Sequence, residues 1–179
     1  MESNVLIKQE MLVATSLPWW VLHTKANHEE TVRVQLAQKE YICYLPKYRR
    51  LSKRKDRTLF LSSVLFPGYV FVQTILSKED KISLLRCIGV SHILGIQNKP
   101  VPVREQEIEN VKLMLSTERM IEPLEIFPKG KDVIVIDGPL TGVVGRIFER
   151  KNSRFLVCQI ELLGRSVMTE LQEDLVRPL

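Results

Sequence analysis

Leu65-Phe66-Pro67-Gly68-Tyr69-Val70-Phe71-Val72 sets a Pro-Gly pair directly ahead of an aromatic and β-branched run. Proline fixes φ, and glycine tolerates backbone angles closed to other residues, so the pair marks a turn or a sharp strand start. Tyr69, Val70, Phe71 and Val72 carry strand chemistry. A strongly cationic segment lies just upstream. The stretch therefore sets a buried strand beside exposed positive charge.

That charge is local. The chain of 179 residues carries a formal net charge of +5. Lys47 to Arg57 (KYRRLSKRKDR) holds seven Lys or Arg and one Asp, a net of +6, and the remaining residues sum to −1. The segment fits a solvated loop and a phosphate-facing surface equally well. Tyr48, inside it, reads as strand-end packing or as a ring for a base.

Cys43, Cys87 and Cys158 are widely spaced and form no CxxC pair, which points to reduced, buried thiols and a cytoplasmic setting. The first 17 residues lack the long apolar region of a secretory signal, and no apolar run reaches the roughly 20 residues of a membrane span. No P-loop, GxSxG or metal-ligand cluster is present, and His23, His28 and His92 have no Cys or acidic partner at ligand spacing. His92, in an apolar strand, reads most simply as a buried histidine. Glu107 and Glu109 lie about 200° apart on a helix and do not converge as an acid/base pair. The chain is expected not to be an enzyme, and to need no cofactor or metal.

Residues 1–17 read as a tail. Trp19–Thr24 reads as a strand after Pro18, and Asn27–Lys39 as a helix with Asn27 as N-cap and Glu29 and Glu30 in the first turn. Tyr41–Tyr48 and Leu65–Ile75 are the next strands. Ser77–Arg86 is a helix whose capping box pairs Ser77 with Asp80. Gly89–Ile96 is a fourth strand, and Glu105–Glu118 a helix with Ile108, Val111 and Leu115 on one face. This β-α-β-β-α-β order, followed by a helix, is the ferredoxin-like pattern, an antiparallel sheet shielded on one face by two helices. Residues 119–128 hold two prolines and read as a linker between a domain at 18–118 and a second at 129–179. In the second, Asp132–Ile136, Val143–Glu149, Phe155–Leu162 and Ser166–Leu171 are short strands. Between them lie the Asp137-Gly138-Pro139 turn, Lys151-Asn152-Ser153 and Gly164-Arg165. About five short strands in ~50 residues suit a small SH3-like β-barrel. Gly142 and Gly145 would allow it to bend tightly. The fold class is α+β.

With these pieces in order, the chain resembles the NusG family of transcription elongation factors. The N-terminal half resembles the NusG N-terminal domain through Trp19-Trp20-Val21-Leu22, the 65–72 run and Gly89-Val90-Ser91-His92. The C-terminal half resembles a KOW domain through Gly130-Lys131-Asp132-Val133, Asp137-Gly138-Pro139, Gly142-Val143-Val144-Gly145 and Leu163-Gly164-Arg165. The resemblance implies a monomeric factor that docks on the clamp helices of the largest subunit of RNA polymerase and suppresses pausing or termination. Its barrel would recruit termination factor Rho or a small-subunit ribosomal protein.

Residue by residue, the resemblance puts Phe66, Pro67 and Tyr69 in the polymerase-docking pocket, with His23 beside them. The bland reading of Phe66 and Tyr69 is ordinary sheet packing. Ser83 falls where specialised relatives touch the second large subunit. Lys25, Arg33 and Arg86 fall on the face that meets upstream or non-template DNA. Charge alone adds Arg49, Arg50, Lys53, Arg54, Lys55 and Arg57 to the nucleic-acid candidates. In the barrel, Leu140, Val143, Leu162, Leu163 and Arg165 are the partner-binding candidates. Leu163 and Val143 stand where many relatives carry aromatics. That departure, with the short basic hairpin loop, points to a specialised paralogue of the RfaH, UpxY or LoaP kind acting on particular operons. Refolding of the barrel into a helical hairpin is not expected, because its strands are rich in Val, Ile and Phe and interrupted by glycine. The competing class is an RNA-binding or ribosome-associated KOW protein.

Overall fold

The structure is a computed structural model, and it describes residues 17–52, 59–125, 128–150, 153–172 and 174–179. In chain order the elements begin with β1 (Trp19–Thr24), α1 (Glu29–Gln38), β2 (Ile42–Tyr44), β3 (Lys47–Leu51), β4 (Phe60–Val64) and β5 (Tyr69–Gln73). Then come α2 (Lys78–Leu85), β6 (Val90–Ile93), β7 (Gly95–Ile96), β8 (Lys99–Pro100), α3 (Glu105–Ser116) and β9 (Ile121–Leu124). The last are β10 (Lys131–Asp137), β11 (Val144–Arg150), β12 (Ser153–Ile160), a 3-10 turn (Glu161–Leu163), β13 (Arg165–Leu171) and β14 (Leu175–Pro178). The described residues divide into two compact units, one within Met1–Tyr44 and Gly68–Pro102, the other within Leu45–Pro67 and Val103–Leu179.

The first unit is built on a four-stranded sheet in the order β2-β5-β1-β6, antiparallel throughout. This is the strand order of the split-βαβ pattern read from the sequence. Val21, Leu22, Val70, Phe71 and Val72 are fully enclosed, so the two central strands are apolar on both faces. Val32 and Leu36 of α1, four apart, are buried together. The Cys43 thiol of β2 donates to the Arg33 carbonyl of α1 over 3.6 Å.

Helix α2 starts as its sequence dictates. The Ser77 hydroxyl accepts from the Asp80 amide at 3.0 Å, and the Asp80 carboxylate accepts from the Ser77 amide at 3.0 Å. Asp80 also accepts from Tyr41 Oη and Thr74 Oγ1. Burial alone would push its carboxyl up. The hydrogen bonds from Thr74, Ser77 and Tyr41 outweigh that and hold it below its ordinary value. A depressed carboxyl contributes stability above its unfolded-state pKa, and that contribution is lost as pH falls through the folded one. Asp80→Asn is therefore expected to cost about 1–2 kcal/mol at neutral pH, a difference that shrinks as pH falls through the lowered folded-state pKa of Asp80. Urea titrations of both proteins across pH 2–7 check this, and a pH-independent difference would contradict it.

Local details correct the sequence expectations. Asn27 does not cap α1. It adopts φ +60°, and His28 takes the cap position without a side-chain bond. The strand expected over Tyr41–Tyr48 is two strands, separated at Leu45-Pro46. Proline has no amide hydrogen to continue a ladder. The strand expected to begin at Leu65 begins at Tyr69, because residues 65–68 form the turn. Gly95–Ile96 leaves the fourth strand to pair with Lys99–Pro100.

The second unit carries a six-stranded antiparallel sheet in the order β14-β10-β11-β12-β13-β9. The last strand returns to pair with β10, Val135 opposite Val176, as a small barrel requires. Its core is Val133, Val135, Leu140, Val143, Leu156, Val157, Cys158, Ile160, Val167 and Met168, all nearly or fully enclosed. Burial pushes the Cys158 thiol up to about 12, so it is an inert packing group. Part of the segment read as a linker is built into this sheet, as β9 pairs with β13 from Ile121–Thr169 to Leu124–Ser166. In α3, the buried Asn110 side chain donates to the Val144 carbonyl at 2.7 Å and accepts from its amide at 3.1 Å. It acts as a local substitute for a strand partner. The same unit contains the hairpin β3–β4, paired from Lys47–Val64 to Leu51–Phe60.

Candidate functional site

In the first unit, the antiparallel register places Tyr69 of β5 opposite His23 of β1, and His23 opposite His92 of β6. Directly opposed residues share a sheet face. The three rings form a row across three strands. His23 meets Tyr69 edge-on at 5.4 Å between ring centroids, with planes 72° apart, and stacks on His92 at 4.8 Å with planes 22° apart. His23 and Tyr69 are half-buried and His92 is exposed, which corrects the reading of His92 as buried. The Nδ1 of His23 is buried without a hydrogen-bond partner among the described residues. The row is thus an aromatic surface in which His23 Nδ1 is a buried polar atom left without a partner among the described residues.

The turn before Tyr69 is held rigidly. Gly68 has φ +87°, a conformation that costs a side-chain-bearing residue about 1–2 kcal/mol. Its amide donates to Glu29 Oε1 at 2.7 Å, and its carbonyl accepts from the Thr24 amide at 2.8 Å. Glu29 is 7% exposed at the start of α1, where the helix dipole favours its charge. Helix α1 thereby fixes where β5 begins, and so where Tyr69 lies against His23. The sequence places Glu29 in the first turn of α1, where only the dipole is locally evident. Its burial and its reach to a residue 39 positions away leave no local signal. Gly89 repeats the logic at the other strand. Its φ is +100°, its carbonyl accepts from the Lys25 amide at 2.8 Å, and a Cβ there would lie 2.7 Å from His28 Cβ.

The other docking candidates differ in exposure. Phe66 is 2% exposed, whereas Pro67 is exposed; both belong to the second unit. Ser83 is engaged inside the first unit, its carbonyl and hydroxyl accepting from Lys39 Nζ at 2.7 and 3.3 Å.

Among the cations, Lys25 and Arg86 are exposed. Arg33 is half-buried and paired with Glu30 at 2.6 Å. Residues 47–51 are not a loop. The hairpin carries Lys47, Arg49 and Leu51 on one face with Phe60 and Ser62, and Tyr48 and Arg50 on the other. Arg50 Nε donates to Ser63 Oγ at 2.6 Å. The Arg49 guanidinium lies over the Phe60 ring, 4.7 Å from its centroid. Leu51, Leu59, Phe60 and Leu61 are exposed beside these cations. Phe60 was missed because the apolar run Leu59-Phe60-Leu61 is short and has no alternation. Lys53, Arg54, Lys55 and Arg57 lie outside the described residues.

In the barrel, Leu140 and Val143 are fully enclosed, so their side chains are not at the surface. Leu162 and Leu163 are half-buried on the 3-10 turn. Arg165 is exposed and pairs with Glu125 at 3.0 Å. No group of three or more His, Cys, Asp or Glu side chains among the described residues could hold a metal ion. No helix among them is long and apolar enough to cross a membrane.

Known proteins similar to this chain are found at the level of family, sequence and structure. A family model described as "NusG: Transcription termination factor nusG" matches residues 17–112. The transcription termination/antitermination protein NusG of Halalkalibacterium halodurans is 24% identical over 169 residues, covering 86% of this chain and 94% of that protein. The protein of the same name from Streptococcus pyogenes serotype M1 is 25% identical over 175 residues, covering 90% and 96%. A solved structure described as "Domain interaction in Thermotoga maritima NusG" is 22% identical with a TM-score of 0.47, covering 89% of this chain and 95% of that one.

Proposed function

The chain belongs to the NusG family of transcription termination factors, and on that premise we propose that it is a polymerase-bound transcription termination/antitermination factor. The proposal has three parts: docking through the Tyr69–His23–His92 row, suppression of pausing or termination at particular operons, and partner recruitment by the barrel. The domains proposed for these roles are 18–118 and 129–179. The observation that carries the docking assignment is the row itself. It is an aromatic surface on a rigid sheet, positioned by the Glu29–Gly68 bond, and its geometry suits the apolar tip of a partner helix. Phe66 and Pro67 are proposed as supporting residues and Ser83 as a minor contact. Lys25, Arg33, Arg86 and the hairpin cations are proposed to meet upstream or non-template DNA through phosphates. Leu162, Leu163 and Arg165 are proposed to meet Rho or a small-subunit ribosomal protein. The buried Leu140 and Val143 would act only as their support.

The test is co-purification with RNA polymerase core. Tyr69→Ala combined with His23→Ala is expected to weaken binding about tenfold or more, the range of aromatic anchors at interfaces. Both residues are half-buried, so circular dichroism must first show the fold retained. A folded double variant that binds polymerase like the wild type would sink the docking assignment. Transcription in vitro across a Rho-dependent terminator then reads the direction of the effect. Increased read-through supports antitermination, and increased release contradicts it. Sedimentation with ribosomal subunits in the absence of polymerase would favour the ribosome-associated alternative.

A further inference from the structure

Within the second unit, the hairpin face that carries Arg49 and Phe60 borders a cleft of about 330 Å³, lined by Lys47, Tyr48, Arg49, Phe60, Met120 and Ile121 among others. We propose that this cleft binds one unstacked base of a single-stranded nucleic acid, with Phe60 as the stacking ring. The inference rests on the proposed nucleic-acid role of the hairpin and assigns its recognition chemistry.

Four observations carry it. The Arg49 guanidinium covers part of the Phe60 ring, yet Phe60 stays 50% exposed. A ring so held, against a planar cation, is a preformed platform for a third flat group. The surrounding charge is cationic. Among the described residues, Lys47 and Arg49 line the cleft and Arg50 stands on the same strand, so a polyanion is favoured over an apolar peptide. Exposed Leu51, directly opposite Phe60 in the hairpin, supplies an apolar edge beside the ring without a sequence-reading group. The volume is at the lower end of the ~300–1,000 Å³ of small-ligand sites, which suits a nucleotide and not a helix.

Two further side chains bound the chemistry. Arg119 lines the cleft, but its guanidinium is committed to the Asp174 carboxylate and the Glu170 carbonyl. It is therefore a wall and not a phosphate ligand. Glu118 is exposed on the same rim and repels phosphate, so the backbone of the strand would run along the hairpin side of the cleft, past Arg49. Stacking needs a base free of its own neighbours, so single strands are preferred over duplex.

The experiment is fluorescence anisotropy of the full chain with labelled oligo(dT), oligo(U) and duplex DNA of about ten nucleotides, repeated across a salt series. Oligo(dT) or oligo(U) is expected to bind more tightly than duplex, and any preference between them names the strand. Phe60→Ala is expected to weaken single-strand binding about tenfold with the salt slope unchanged. Arg49→Gln is expected to reduce the slope by about one. Phe60→Trp should retain affinity, and its added emission should be quenched on binding. Phe60→Leu, which keeps apolar area without a flat ring, should bind like Phe60→Ala. Wild-type affinity in Phe60→Ala or Phe60→Leu would overturn the proposal, as would a preference for duplex. Polymerase co-purification of Phe60→Ala is expected to be unchanged. It separates failure of this inference from failure of the docking assignment, which depends on His23 and Tyr69.

Discussion

Replacing Arg119 with methionine is expected to destabilise the unit holding the six-stranded sheet by about 3–5 kcal/mol. The Asp174 side chain is fully enclosed, and that of Arg119 is 13% exposed. Asp174 Oδ2 accepts from Arg119 and from the Gln172 amide, while Oδ1 has no hydrogen-bond partner among the described residues. Among the described residues, the carboxylate therefore pairs with one cation, Arg119. Methionine fills similar space but leaves that charge buried and uncompensated. The pair itself contributes much less than the penalty for breaking it, because burying both ions already cost solvation. The double variant Arg119→Met/Asp174→Asn should accordingly recover most of the loss. Amide hydrogen exchange across β10 and β13 reads the result locally, which matters in a chain of two compact units where one global transition is not guaranteed. Unchanged protection in Arg119→Met would show that Asp174 does not rely on this partner.

Phe71→Ala is expected to cost the four-stranded sheet about 3–5 kcal/mol, the range for deleting a buried aromatic. Phe71 is fully enclosed, and the register sets it between Val21 of β1 and Tyr44 of β2. Its ring lies 6.3 Å from that of Tyr44. Alanine would leave a cavity where three strands meet, and a rigid sheet collapses around such a cavity only partly. Phe71→Leu retains most of the volume and should cost less than about 2 kcal/mol. Tyr69 is two residues away on the same strand, so the alanine variant should also disorder the aromatic row of Tyr69, His23 and His92. Exchange at β1 and β5 amides that matches the wild type in Phe71→Ala would contradict this.

The sheet of the first unit was legible because its strands announce themselves locally. Trp19–Thr24 and Tyr69–Gln73 are dense in β-branched and aromatic residues, and Ser77 with Asp80 spells a capping box that forms as written. The barrel strands were legible for the same reason, with glycine and Asp-Gly-Pro punctuation between them. The misses fall where local chemistry is ambiguous. Asn27 is a good capping residue, but here it occupies a left-handed turn and His28 takes its place. Ile121-Glu122-Pro123-Leu124 looks like a linker because proline interrupts it. It forms an edge strand all the same, where a missing amide hydrogen on the open side is tolerated.

The candidate site divides along the same line. Sequence alone determined that Tyr69 follows a Pro-Gly turn, that His23 lies in the first strand, and that positive charge is concentrated at residues 47–57. These are one-dimensional facts, and composition and spacing carry them. Tertiary structure decided which rings meet. The pairing of His23 with both Tyr69 and His92 follows from the register of β1 between β5 and β6, a relation among residues 46 and 69 positions apart. Likewise, only the hairpin register brings Arg49 over Phe60. Only the packing of α1 lets Glu29 hold the Gly68 amide. Apart from the hairpin contact of Arg49 with Phe60, each of these contacts closes a long loop of chain. The entropy of that closure is offset by burial of the whole core and not by the contacting residues themselves, so nothing in their own neighbourhood encodes the contact.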